Sequence, residues 1–121
     1  MIDSKKMAKI AYEALDSKKG EDIKILEIGT ISVLADYFII ASGDNTLQIQ
    51  AMVNEVQDRL GKEGFPMKRL EGTKGSSWML LDYGDLVVHV FNKEDRLFYD
   101  LERIWRDGEQ IDVDAFLEEK L

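Results

Sequence analysis

The chain has a single histidine, His89, and two carboxylates shortly before it, Asp82 and Asp85. A histidine with aspartate partners can shuttle protons or, by residue type, ligate a metal, but no recognised ligand spacing links these three. His89 stands inside Leu86-Val-Val-His-Val-Phe91, between two valines, so a hydrogen-bonded core or interface histidine is the favoured reading. Gly72-Thr-Lys-Gly-Ser-Ser77 has the composition of a phosphate loop. It lacks the GxxxxGK[ST] spacing and precedes a strand, so no helix N-terminus would face a phosphate. It reads as a flexible connection. The chain has no cysteine, which removes disulfides, thiolate nucleophiles and thiolate metal sites.

A second kind of chemistry, recognition, gathers just after that connection. Trp78, Leu80, Asp82, Tyr83 and Asp85 place large aromatic area beside negative charge. Trp and Tyr are favoured interface anchors, and carboxylates beside them suit a basic protein partner. A core role for Trp78 fits its residue type equally well. Arg96, Tyr99, Arg103 and Arg106 would share the outer face of a helix; intrahelical pairing, Asp100 with Arg103 and Glu102 with Arg106, accounts for them better than RNA contact does.

These residues need a frame. The strands Leu86–Phe91 and Asp36–Gly43 carry apolar residues on both parities, as expected of strands covered on both faces at the centre of a sheet. Tyr83-Gly84-Asp85 is a turn signal that makes Trp78–Asp82 and Leu86–Phe91 a hairpin. Met7, Ile10, Ala11, Ala14 and Leu15 mark a first helix capped by Asp3 or Ser4 and ended by Gly20. A first strand covers Ile23–Ile28, and Thr30–Ala35 is a turn or short helix. Asp44 or Asn45 caps the longest helix, with Ile49, Met52, Val53, Val56 and Leu60 inward and Gln48, Gln50, Glu55 and Asp58 outward. Gly64-Phe65-Pro66 breaks it, and Met67–Glu71 is a peripheral strand. Asn92 caps a last helix, with Leu97, Leu101, Ile104 and Trp105 as its stripe and Gly108 at its end. The order α-β-β-α-β-β-β-α implies an α/β single domain with a mixed five-stranded sheet and helices on its faces. Residues 1–106 form the domain and 107–121 an acidic tail.

At 121 residues the chain can bury a core unaided, and a formal charge of −8 disfavours generic nucleic-acid binding. No apolar run is long enough for a membrane span, and the first helix lacks the apolar block of a signal peptide. A cytoplasmic protein with little direct nucleic-acid contact is expected.

Taken together, Asp36-Tyr-Phe-Ile-Ile-Ala-Ser-Gly43 with Gln48, Trp78, Asp82-Tyr-Gly-Asp-Leu-Val-Val-His-Val-Phe91, Arg96, Tyr99-Asp-Leu-Glu102 and Trp105 closely resemble the Iojap family, whose bacterial members are ribosomal silencing factors. The likeness runs from the first helix to about Trp105. It implies a nucleotidyltransferase-like fold and binding to the large ribosomal subunit through its fourteenth protein. It further implies a steric block on subunit joining that lowers translation when nutrients are limiting. The candidate contact residues are then Lys74, Ser77, Trp78, Leu80, Asp82, Tyr83 and Asp85, with no cofactor and no metal. Self-association as a dimer, through apolar surface of the late hairpin, is also expected. The alternative is a residual nucleotide-dependent transferase using Asp36, Asp82 or His89. Transferases of this fold pair two acidic residues on one strand to hold magnesium; Asp36 matches the first, but Phe38 stands at the second. No enzymatic activity is expected.

Overall fold

The two strands read as covered on both faces, β2 (Tyr37–Gly43) and β5 (Leu86–Asn92), lie side by side and parallel at the centre of one sheet. Every residue of β2 is buried, which explains its lack of alternation. The computed structural model describes residues 2–27, 36–72, 78–93 and 109–110. Around the central pair run β1 (Glu21–Glu27), β3 (Arg69–Glu71), β4 (Trp78–Asp82) and β6 (Glu109–Gln110), in the order β3-β4-β5-β2-β1-β6. All pairs but the central one are antiparallel. The mixed α/β sheet expected from the sequence is the one formed. A short sixth strand, β6, adds to the edge at β1, within the stretch read as acidic tail.

Two helices, α1 (Ile2–Ser17) and α2 (Thr46–Lys62), pack together on a single face of the sheet. In α2 the buried residues are Ile49, Met52, Val53, Val56 and Leu60, the stripe that the 3.6-residue period predicts. Asn45 is its cap: extended at φ −153°, it accepts the Gln48 N–H at 2.9 Å. The first helix differs from expectation at its start. It begins at Ile2, ahead of Asp3 and Ser4, and Ser4 is buried instead of capping. Met7, Ala11, Ala14 and Leu15 meet strand residues Ile25, Ile39, Ala41, Met79, Leu81, Leu86, Val88 and Val90 in one apolar core. Gln48, expected to face outward, ties the two helices together. Its amide nitrogen donates to the carbonyls of Lys18 and Lys19 at 3.1 and 2.9 Å, and its Oε1 accepts from Asp44 N. The expected turn at Thr30–Ala35 and the body of the expected last helix lie outside the described residues; Asn92 itself ends β5. No helix among the described residues is long and apolar enough to cross a membrane.

Candidate functional site

Alternation sorts the β4–β5 hairpin into two kinds of surface. Met79 and Leu81 of β4, with Leu86, Val88 and Val90 of β5, turn toward the helices. Trp78, Leu80 and Asp82 turn the other way, with Val87, His89 and Phe91 beside them. Register places Leu80 opposite His89, Trp78 opposite Phe91 and Asp82 opposite Val87. On the other flank of β5, Phe38 and Ile40 of β2 pair with Val87 and His89. The result is an aromatic layer on the sheet face away from α1 and α2.

Its geometry is well defined. The Trp78 indole stacks on Phe91 at 5.7 Å and 4°, and on His89 at 5.9 Å and 9°. Phe38 tilts against His89 with ring centroids 4.3 Å apart. The indole N–H of Trp78 donates to Nδ1 of His89 at 3.1 Å. An imidazole that accepts at Nδ1 carries its proton at Nε2 when neutral, and burial keeps it neutral by pulling its pKa down to about 3. Nε2 is buried and has no hydrogen-bond partner among the described residues. An orphaned buried donor costs about 1–3 kcal/mol. His89 is therefore hydrogen-bonded, as the sequence suggested, but only on one nitrogen.

The expected contact residues divide accordingly. Trp78, Leu80 and Asp82 share one face of one strand, each half-buried. Asp82 has structural duties: Oδ1 accepts the Gly84 N–H at 2.8 Å, closing the turn, and Oδ2 lies 3.8 Å from the Arg69 guanidinium. Asp85 is exposed at the turn, and its carbonyl accepts from Asp36 N and Tyr37 N, pinning the start of β2. Tyr83 goes elsewhere. Only 6% exposed, it joins the helix-side core and edges an open apolar groove with Gln57, Gly61, Phe65, Pro66 and Met67. It is not the exposed aromatic surface that its residue type suggested, and burial raises its phenol to about 12. Lys74 and Ser77 lie outside the described residues.

Sequence reasoning took Gly72 only as the start of a flexible connection and missed its backbone role. Its φ is +96°, and a Cβ there would sit 2.5 Å from the carbonyl oxygen of Trp78, so only glycine lets the chain pass behind that strand. A glycine just before a segment joining two short strands was the available signal. On the side of the alternative reading, Asp36 immediately precedes β2 and the second carboxylate position is the Phe38 ring against His89. Among the described residues no three histidine or carboxylate groups gather closely enough to hold a metal ion.

Comparison with known proteins gives the layer a context. The family described as "Ribosomal silencing factor during starvation" matches residues 1–121. The chain is 42% identical to the Ribosomal silencing factor RsfS of Bacillus subtilis, over 93% of this chain and 96% of that one. A crystal structure of a Chromobacterium violaceum protein superposes with a TM-score of 0.80 at 38% identity, covering 83% of each chain. A mouse protein named Mitochondrial assembly of ribosomal large subunit protein 1 is 30% identical over 75% of this chain and 41% of its own length.

Proposed function

Because this chain belongs to the ribosomal silencing factor family, we propose that it represses translation by binding the large ribosomal subunit and blocking its union with the small one. The partner implied by the family resemblance is the fourteenth protein of the large subunit, and the proposed contact is the aromatic face of the β4–β5 hairpin. One observation carries this placement. Trp78, Leu80 and Asp82 present an indole, an aliphatic side chain and a carboxylate side by side, all half-buried, on the sheet face that the two described helices leave alone. A rigid aromatic anchor in a partly buried setting is what interface hot spots are made of. The name of the mouse relative supports the large subunit as the place of action. Asp85, exposed at the turn, adds negative charge that speeds encounter with a basic protein. Lys74 and Ser77 belong to the same proposal only through their place in the sequence shortly before Trp78, and Tyr83 through its N–H bond to the Leu86 carbonyl across the turn. Trp78, Leu80 and Val87 are also the apolar surface available for self-association, so a dimer and the ribosome compete for it.

Co-sedimentation with purified large subunits tests the placement. Trp78→Ala should weaken binding by about 2 kcal/mol or more, roughly thirtyfold, in a chain that stays folded. Asp85→Lys is the cleaner charge test, because Asp82→Lys would also lose the turn closure at Gly84. If both variants bind and block joining like the parent chain, the contact lies elsewhere. No transferase activity is part of the proposal. His89 is enclosed and neutral, and Phe38 fills the place of the second carboxylate. Labelled nucleotide with magnesium should be recovered unchanged, and turnover abolished by Asp36→Ala would overturn that part.

A further inference from the structure

We propose that His89 is the positioning residue for Trp78: its neutral imidazole holds the indole N–H inward and leaves the apolar remainder of the ring to meet the partner. The inference rests on reading Trp78 as a contact residue. Stacking against Phe91 and His89, at 4° and 9°, fixes the plane of the indole. It does not fix which edge of that plane faces out, since a flipped indole stacks nearly as well. The hydrogen bond from Nε1 to Nδ1 of His89, at 3.1 Å, makes that choice. With its only donor engaged, the indole has no proton to offer a partner. The recognising pocket is therefore apolar, without a buried acceptor, and takes the ring by packing.

The surroundings of His89 are apolar. Phe38 leans on it, Phe91 stacks near it, and Ile40 and Leu80 are its neighbours across the strands. In this apolar setting Nε2–H is left without a partner among the described residues. A leucine would remove the orphan and fill much of the slot, but would take away the acceptor that holds the indole N–H.

Nitrogen-15 NMR of the intact protein gives the first readout. A scalar coupling across the hydrogen bond should join Trp78 Nε1 to His89 Nδ1, with the histidine shifts reporting an unprotonated Nδ1. In His89→Leu the melting temperature should hold or rise while large-subunit affinity falls about tenfold, the worth of one orienting hydrogen bond. In His89→Asn, whose Oδ1 takes the place of Nδ1, affinity should return to within about threefold of the parent, whereas His89→Gln should not restore it. Absence of the coupling in the parent protein overturns the proposal. So does a folded His89→Leu that binds normally, or an Asn variant no better than Leu and Gln. Failure of His89→Leu to fold also counts against it, because the core would then require the imidazole. Trp78→Ala, measured alongside, separates the two levels. If it binds normally, the contact reading fails and takes this inference with it. If it loses binding while His89→Leu does not, only the role of His89 falls.

Discussion

The two faces of one sheet are built on different terms. The helix side is closed with aliphatic side chains, Ile25, Ile39, Leu81, Val88 and Val90 from the strands against Leu15, Met52, Val53 and Leu60 from the helices. The other side is aromatic and holds polar atoms inside it: the indole N–H of Trp78 and an imidazole with one nitrogen unsatisfied among the described residues. Apolar burial on the first face does nothing except stabilise. A half-satisfied polar group on the second lowers stability. On the contact reading proposed above, the first face serves folding and the second also serves recognition.

Several measurements can break that division or sharpen it. The largest effect is expected from Leu60→Ala, a cavity in the helix-side core, which should cost about 2–5 kcal/mol of stability. Large-subunit affinity of the fraction still folded should stay at the parent value; a matching loss of affinity would dissolve the distinction between faces. Next comes pH. His89 is neutral in the folded chain and protonates near 6.5 when unfolded, so its contribution is intact above 6.5 and lost as pH falls toward about 3. By pH 5 the parent should have given up about 2 kcal/mol that His89→Leu keeps, read from denaturant melts of the two proteins side by side. Tyr83 of the helix-side core shifts the opposite way. With its phenol raised to about 12, stability held below pH 10 is lost as pH rises through that window, and Tyr83→Phe should remove the dependence. Acid thus probes the aromatic face and alkali the helical one. The smallest effect belongs to Asn45→Ala, which removes the α2 cap and should lower stability by about 1 kcal/mol with binding unchanged.

Much of the helix-side face was legible in the sequence. The stripe of α2 follows from period alone, and the buried, non-alternating run of β2 announced a central strand. The hairpin was legible from its turn residues, and Asp82 and Gly84 close it as that chemistry requires. The Trp78–His89 bond was not, because it depends on the register between β4 and β5, which residue types do not state. Tyr83 was misjudged although a signal existed: it continues the parity of Met79 and Leu81, the helix-side residues of the same strand. Gln48 looked like a solvated helix residue because its carbonyl partners lie 30 and 29 residues away. For β6, two polar residues carry no pattern at all, and only pairing with Leu26 and Glu27 defines the strand.

The parallel pairing of β2 with β5 sets when the aromatic face can come into being. Tyr37 must find Leu86, and Gly43 must find Asn92, across the whole length of α2, β3 and β4. Contacts of such sequence separation close late in folding, after local helices and hairpins. Trp78 and Leu80 can pair with β5 early as a hairpin, yet Phe38 and Ile40 reach His89 only when β5 docks on β2. During synthesis the first half of the chain can gather its helices while β5 is still unmade. A chain stalled or truncated before Leu86 therefore carries Trp78 without the surface that orients it. On the contact reading proposed above, the binding face is incomplete until β5 has been made and has docked on β2.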